Sequence, residues 1–197
     1  MLAGSRDEAV AAFYSFGGKV ALKIEAPGLM HKSDLGCVRL GCSSEDEVAA
    51  AYQDVITNAH RAGFKVAQHV LVQPMAEGTE FFAGNVNDPL FGPTMSVGVG
   101  GIFIEILGDT ATEMALLNQD DARSMIGRVK GARILEGARG QPAGDVEALA
   151  IFLVRLGGFA MANYGCFKAL DLNPVIVRPA GQGVVAVDIV VEIAGAT

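Results

Sequence analysis

The sequence contains no tryptophan and only three cysteines, and its charged residues are few and mostly acidic. The 15 lysines and arginines are outnumbered by 22 aspartates and glutamates, which gives a formal net charge of -7. Because nucleic-acid phosphates require a basic face, this balance argues against nucleic acid as a partner. It does not argue against a single nucleotide, which needs only local positive charge and a metal ion.

The cysteines indicate a reducing compartment. Their number is odd, so Cys37, Cys42 and Cys166 form no disulfide framework, which predicts a cytoplasmic protein. Cys37 and Cys42 would point to opposite faces of one strand and are poor joint metal ligands. The N-terminal residues have no apolar stretch of the signal-peptide type.

Long hydrophobic runs are also missing, although 51% of the residues are hydrophobic. The mean hydropathy of +0.37 raises the question of a membrane protein. The most apolar helical stretch, Val146–Ala162, is interrupted by Glu147 and Arg155, and the other apolar run, Met95–Leu107, is too short to span a bilayer. We therefore expect a soluble protein with no membrane partner and with a substantial core.

Hydrophobic periodicity predicts helices and strands that do not alternate strictly as β–α–β units. This order favours an α+β fold of two lobes over a doubly wound sheet. The boundary is expected near Val72–Met75, where Gln73-Pro74 interrupts a strand. Strands are predicted at Lys19–Glu25, Gly36–Gly41, Ala67–Gln73, Glu80–Val86, Thr94–Val99, Lys168–Leu172, Pro174–Arg178 and Gly183–Val191, and helices at Arg6–Phe16, Ser44–Gly63, Asn118–Lys130 and Asp145–Asn163.

Lys23 is the first candidate for binding a phosphate. It stands alone on the polar face of a strand whose other face carries Val20, Leu22 and Ile24. A strand lysine that faces a cleft supplies a point charge for phosphate oxygens. The alternative is a solvated lysine at the edge of a sheet.

Asp171, Asn173 and Asp188 are candidate metal ligands. Asp171 and Asn173 are two residues apart on a strand and share a face, and Asp188 could lie across from them on the next strand. Oxygen ligands of this kind suit Mg²⁺, which completes its octahedron with water and substrate phosphates. Alternatively, Asn173-Pro174 is only a turn signal and Asp188 an exposed strand residue.

Two weaker signals complete the set. The run Val97-Gly-Val-Gly-Gly101 would allow close backbone approach to a phosphate, but it matches no known phosphate-loop pattern. His31, in the loop Leu29–Asp34, could carry a proton or accept a phosphoryl group, or it could be an ordinary exposed histidine.

These segments occur in a definite order along nearly the whole chain. They are Val20–Ile24, His31–Asp34, Gly36–Gly41, Leu71–Met75, Gly78–Glu80, Asp88–Pro93, Gly98–Glu105 and Leu170–Pro174. As an ordered set they resemble the ATP-grasp region of ADP-forming acyl-CoA synthetases, including acetyl-CoA synthetases, which are related to the β subunit of succinyl-CoA synthetase.

The resemblance implies an ATP-grasp fold whose small lobe, residues 1–72, and large lobe, residues 73–197, hold ATP and Mg²⁺ between them. It implies that Lys23 binds the nucleotide phosphates and that Glu80 binds the ribose hydroxyls. Gln73, with the neighbouring Val72 and Met75, falls at the hinge that cradles adenine.

For the chemistry, the resemblance implies that Asn173 and Asp188 bind Mg²⁺ together with Asp171, and that His31 relays the phosphoryl group. The family reaction converts a carboxylic acid, CoA and ATP into acyl-CoA, ADP and phosphate through an acyl phosphate and a phosphohistidine. The CoA-binding domains of the family are not recognised in the sequence. The resemblance therefore implies a CoA-binding and ligase partner of the α-subunit type, an oligomeric assembly, and no turnover by this chain alone.

Two departures from the family pattern motivate an alternative. Asn87 and Glu113 stand where the family commonly has arginine. Because a glutamate near a triphosphate would repel it, the chain could be a degenerate, non-catalytic ATP-grasp module with a regulatory or assembly role. A third hypothesis, an ATP-grasp ligase with an amine acceptor, gives no reason for the His31–Asp34 loop.

Overall fold

The computed structural model describes residues 1–26, 28–29, 32–64, 69–101, 108–137, 140 and 142–195. The chain divides into two compact units, Met1–Met75 and Ala76–Thr197, and each contains antiparallel strands, helices and its own hydrophobic core. The predicted α+β fold class is confirmed. No helix within these ranges combines the length and the apolarity needed to cross a membrane.

As far as it is described, the first unit consists of a four-stranded sheet and two helices. Its strands lie in the order β1-β4-β2-β3, so β2 is an interior strand. The elements are β1 (Leu2–Ala3), α1 (Arg6–Phe16), β2 (Val20–Glu25), β3 (Val38–Cys42), α2 (Glu45–Arg61) and β4 (His69–Pro74). The boundary predicted after Val72 therefore falls inside β4, whereas the two units separate after Met75.

Local hydrogen bonds set the helix ends in this unit. The hydroxyl of Ser5 accepts a hydrogen bond from the Glu8 amide, and α1 ends at Gly17, whose φ of 67° is readily adopted by glycine. Ser44 caps α2 through the Glu47 amide, as its sequence position predicts. The Glu47 carboxylate accepts from the amide and the hydroxyl of Ser43, and these bonds lower its pKa.

The core of the first unit lies between the helices and one face of the sheet. The alternating residues predicted for β2 are all fully buried, and they pack with residues from β4 and α2. Each such aliphatic side chain contributes about 1.5–3 kcal/mol when removed from water. These residues are Val20, Leu22, Ile24, Val48, Val55, Val70 and Val72.

The second unit is built on a larger sheet with the strand order β10-β8-β5-β6-β7, in which β9 also pairs with β8. In the described residues of this unit, two α-helices and a 3₁₀ helix accompany it. The elements are β5 (Thr79–Asp88), β6 (Gly92–Val99), β7 (Thr110–Met114), α3 (Gln119–Arg128), the 3₁₀ helix (Lys130–Glu136), α4 (Val146–Ala162), β8 (Phe167–Val177), β9 (Val184–Ala186) and β10 (Ile189–Ile193).

The strands near the C-terminus differ from the prediction. β8 runs unbroken through Pro174, where two strands were expected. The proline is tolerated because the ladder is irregular at this point: Phe81 pairs with Val175 but Ala83 with Leu172, so two steps along β5 span three along β8. The single strand expected at Gly183–Val191 is divided into β9 and β10, which pair with different parts of β8.

One face of the second sheet is buried against α3 and α4. Phe81 of β5 and Met95 of β6 are fully buried there, beside Met125 of α3 and Leu153 of α4. Asp145 caps α4: its carboxylate accepts hydrogen bonds from the amide of Gly183, at 2.8 Å, and from the amide of Ala148, and these bonds lower its pKa.

Gly157 allows α4 to approach the segment after β7. A Cβ atom added there would lie 2.1 Å from the carbonyl oxygen of Ala115, whereas a Cβ atom on the neighbouring Gly158 would meet nothing within 4 Å. We expect Gly157→Ala to destabilise the protein by about 1–3 kcal/mol, because the helix must move. Gly158→Ala is the matched control and should stabilise by about 0.5–1 kcal/mol. Urea denaturation of both variants measures the difference, and equal effects would contradict this close contact.

Candidate functional site

Lys23 lies on the face of the first sheet opposite the helices. Leu22 and Ile24 point into the core, so Lys23 and Ala21 point the other way along β2. Lys23 pairs with Leu71 of β4 on one side and with Val38 of β3 on the other, and only 5% of it is exposed. The interpretation of Lys23 as a solvated edge lysine is therefore wrong, because the residue is buried in an interior strand.

Gln73 shares this face with Lys23. It pairs with Ala21, which comes two residues before Lys23 in β2. The side chains of Gln73 and Lys23 therefore point to the same side of the sheet. Its side-chain oxygen is buried and accepts no hydrogen bond from any described residue. A buried acceptor without a hydrogen bond destabilises the folded state. We therefore expect this oxygen to accept a hydrogen bond from a ligand amino group or a water molecule.

Val72 and Met75 are placed differently from Gln73. The Val72 side chain belongs to the core, and its amide and carbonyl both bond to the main chain of Met1, at 2.8 and 2.6 Å. The Met75 amide donates to the carbonyl of Lys19 at 2.9 Å. These bonds fix the end of β4, so Val72 supports the position of Gln73 and presents no side chain on its face.

In the second unit, three predicted residues share one face of one sheet. Glu80 alternates along β5 with the buried Phe81, and Asp171 and Asn173 alternate along β8 with the buried Leu172. All three therefore lie on the face opposite the helices. Asp171 pairs with Gly84 of β5, which has no side chain to cover the carboxylate.

Asp188 is held next to Asn173. The amide of Asn173 donates to the carbonyl oxygen of Asp188 at 3.2 Å, just before β10 begins. Partial burial of the carboxyl of Asp171 raises its pKa, although the residue keeps some exposed surface. The peptide bond between Asn173 and Pro174 is cis.

The glycine run packs around β5. A Cβ atom on Gly98 would lie 2.4 Å from the ring of Phe82, and one on Gly100 would lie 3.0 Å from the main chain of Glu80. The Gly100 amide also donates to the carbonyl of Glu80 at 2.7 Å. These glycines therefore allow β6 to lie close to Glu80 and Phe82, which explains them without a bound phosphate.

Glu113 and Asn87 lie on the other side of the sheet. Glu113 pairs across the ladder with the buried Met95, and its carboxylate forms an ion pair with Arg128 at 2.6 Å. The side-chain amide of Asn87 donates to the carbonyl of Phe167. Because Glu113 is on the helix side, its charge is directed away from the face that carries Asp171.

Sequence reasoning did not find two polar residues that share a face of the sheet with Asp171 and lie beyond Gly84. Ser96 of β6 pairs with Gly84 on one side and Thr112 of β7 on the other, and the two hydroxyls lie 2.8 Å apart. The alternation of Thr94 and Ser96 with Met95 and Val97 was the available signal for β6. His31, the predicted phosphoryl relay, lies outside the described residues.

The oxygen ligands of the second unit suit a hard cation, because Asp171, Asn173 and Asp188 offer only oxygen atoms. In the first unit, taken by itself, Lys23 offers an ammonium group that suits an anion. Among the described residues, no three His, Cys, Asp or Glu side chains form a cluster that could enclose a metal.

Comparisons with known proteins agree on one family. Residues 1–193 match the family described as an ATP-grasp domain. The β subunit of ADP-forming acetate–CoA ligase II from Pyrococcus furiosus is 36% identical over 190 residues, which cover 95% of this chain and 80% of that protein. The ADP-forming 4-hydroxybutyrate–CoA ligase of Nitrosopumilus maritimus is 32% identical over 95% of this chain, but the match covers only 27% of that longer protein.

A solved structure is similarly close. Dinucleotide forming acetyl-coenzyme A synthetase 1 of Ca. Korarchaeum cryptofilum, in complex with coenzyme A and Ca-AMPCP, aligns with a TM-score of 0.88 and 37% identity over 98% of this chain and 84% of that chain. The same protein with coenzyme A and Mg-AMPPCP, its phosphohistidine segment pointing towards the nucleotide binding site, aligns with a TM-score of 0.79 and 36% identity over the same shares. The chain therefore belongs to the ATP-grasp family and is related to the β subunits of ADP-forming acetate–CoA ligases.

Proposed function

We propose that this chain is the ATP- and magnesium-binding component of an ADP-forming acid–CoA ligase. The observation that carries the proposal is the placement of Glu80, Asp171 and Asn173 on the face of one sheet opposite α3 and α4, with the main chain of Asp188 bonded to Asn173. The complete reaction takes a carboxylic acid, CoA and ATP to acyl-CoA, ADP and phosphate.

Lys23 neutralises charge on the nucleotide phosphates in this function. Lys23 is only 5% exposed as a residue, and a cation in such a setting attracts an anion more strongly than one in water, because less solvent screens it. Gln73 offers its buried oxygen to a donor group such as the adenine amine, and Glu80 offers its carboxylate to the ribose hydroxyls. Phosphoryl transfer needs little from the protein beyond such positioning and charge neutralisation.

Asp171, Asn173 and Asp188 would hold Mg²⁺ through their side-chain oxygens. When bound, the metal neutralises charge on the phosphate oxygens during transfer. The side chains have separate tasks in this arrangement: the carboxylates supply negative charge, and the amide oxygen of Asn173 supplies a neutral ligand. The absence of a side chain at Gly84 keeps the space beside Asp171 open.

The proposed partner is a CoA-binding and ligase subunit or domain. The relatives support this, since the Pyrococcus furiosus protein is a β subunit and the Nitrosopumilus maritimus ligase is several times longer than the matched region. His31 is proposed to relay the phosphoryl group, and this residue lies outside the described part of the chain. The relatives act on different acids, so the proposal commits only to the class of carboxylic acids.

Lys23→Met tests the nucleotide site, because it removes the charge and keeps a long side chain. We expect millimolar Mg-ATP to raise the melting temperature of the unmodified protein and the affinity of Lys23→Met for ATP to fall at least tenfold, about 1.4 kcal/mol. Lys19→Ala, an exposed lysine just before the same strand, is the control and should bind normally. No stabilisation of the unmodified protein by Mg-ATP would refute the proposal.

Asp171→Asn tests the metal site. With ATP fixed, we expect the Mg²⁺ concentration needed for half of the thermal stabilisation to rise several-fold, because a charged ligand is lost. Stabilisation by ATP without metal should be unchanged. Glu192→Gln is the control, since Glu192 is a carboxylate on the same sheet that pairs with Lys168 at 3.1 Å. An equal shift in both variants would point to a general charge effect instead of a ligand.

Glu113→Arg separates a working ATP site from a degenerate one. The degenerate alternative predicts that this change creates or strengthens ATP binding. Because Glu113 lies on the helix side and pairs with Arg128, we expect unchanged ATP affinity and a loss of stability of about 0.5–1 kcal/mol. Glu113→Gln should lose less stability, since it adds no like charge beside Arg128. A tenfold gain in ATP affinity in Glu113→Arg would favour the degenerate module.

A further inference from the structure

β10 is an exposed apolar strand at the edge of the second sheet. It pairs only with β8, and no other strand in the described part of the chain borders its outer side. All five of its residues are exposed, and four of them are aliphatic: Ile189 (58%), Val190 (52%), Val191 (44%) and Ile193 (53%). Such an edge is a template for pairing with another strand, and proteins usually cover or interrupt it.

The side chains of β10 extend the core surface outward on the helix side. Ile189 and Val191 lie opposite Leu172 and Leu170, which are core residues, and Ile193 lies opposite Phe167. The Phe167 ring stacks on that of Phe159 in α4, with centroids 6.0 Å apart, and half of Phe159 is exposed. An apolar surface therefore continues from the core to the outer edge of the sheet.

The residues of β10 whose side chains lie on the helix side also have main-chain amides and carbonyls that point away from β8. Asn173 donates to the carbonyl of Asp188, so Asp188 directs its main-chain groups towards β8. The direction of the main-chain groups alternates from residue to residue in an antiparallel ladder. The amide and carbonyl of Val190 therefore also point towards β8, whereas those of Ile189 and Val191 point outward. Ala194 donates back to Cys166, which places Ile193 among the outward residues as well.

We propose that β10 pairs antiparallel with β10 of a second copy of this chain, with the two-fold axis at Val191. In this register Val191 lies opposite Val191 of the second copy, and Ile189 lies opposite Ile193. All the outward main-chain groups then meet one another, and the three helix-side residues form one continuous apolar row. If the register were shifted by one residue, the outward main-chain groups of one copy would lie opposite residues of the second copy whose main-chain groups point towards its own β8.

The charges of β10 are compatible with self-pairing. On the other face, Glu192 of one copy lies opposite Val190 of the second, so the two glutamates are diagonal neighbours and do not lie directly opposite. Glu192 is also paired with Lys168 of its own chain. Five residues form a small interface compared with the roughly 1,200–2,000 Å² of stable complexes, so the dimer is reversible and depends on concentration.

Two lysine substitutions on adjacent residues test the interface. Sedimentation equilibrium over a range of concentrations should show a monomer–dimer equilibrium for the unmodified chain. Val191→Lys should weaken it at least tenfold, because like charges would meet at the axis. Val190→Lys should retain or tighten it, because the new ammonium group would face Glu192 of the second copy. Circular dichroism and melting curves establish that both variants are folded.

A cysteine cross-link tests the register independently of charge. The exposed Cys166 is first replaced by serine. Val191→Cys should then form a disulfide-linked dimer on mild oxidation, since Cα atoms in a hydrogen-bonded pair are about 5.5 Å apart, within disulfide range. Val190→Cys, opposite Glu192, should cross-link much more slowly. A chain that stays monomeric, a dimer that survives Val191→Lys, or equal cross-linking at both positions would overturn the proposal.

Discussion

In each unit the described helices pack on one face of the sheet, and the candidate site residues lie on the other. Along β5 and β8, residues of the core alternate with residues whose side chains point to the opposite face of the sheet. In the first unit the same rule puts Leu22 in the core and Lys23 on the opposite face. The burial of Leu22, Phe81 and Leu172 thus determines the direction of their neighbours, and the candidate site follows from how the core is packed.

The sequence predicted strands correctly where hydrophobic and polar residues alternate along the whole strand. The strands around Lys23, Glu80 and Asp171, and the capped starts of α2 and α4, were found from local patterns. The strand β7 was missed because Thr110, Thr112 and Met114 are exposed, so the segment shows little hydrophobic periodicity. Proline at 174 was taken as the end of a strand, since the compensating irregularity lies in the pairing of β8 with β5, which no local pattern reveals.

The polarity of a residue did not predict its surroundings. Lys23 was expected either in a cleft or in solvent, and it is buried in an interior strand. Glu113 was expected to lie near a triphosphate and lies instead on the helix side beside Arg128. Both outcomes depend on strand order and on which face the helices cover, and these are tertiary properties. The glycines at 98 and 100 likewise reflect close contact with Phe82 and Glu80 across the ladder.

The extra residue in β8 has a consequence for how this strand can change in evolution. Phe167–Leu172 pair with β10, and Val175–Val177 pair with β9, so the two halves of one strand have separate partners. Asn173 and Pro174 between them absorb the change of register. We therefore expect a change in the length of the β9 hairpin to leave Asp171 and Asn173 on the face opposite the helices, because the pairing of Asp171 with β10 and the hydrogen bond of Asn173 to Asp188 do not depend on β9.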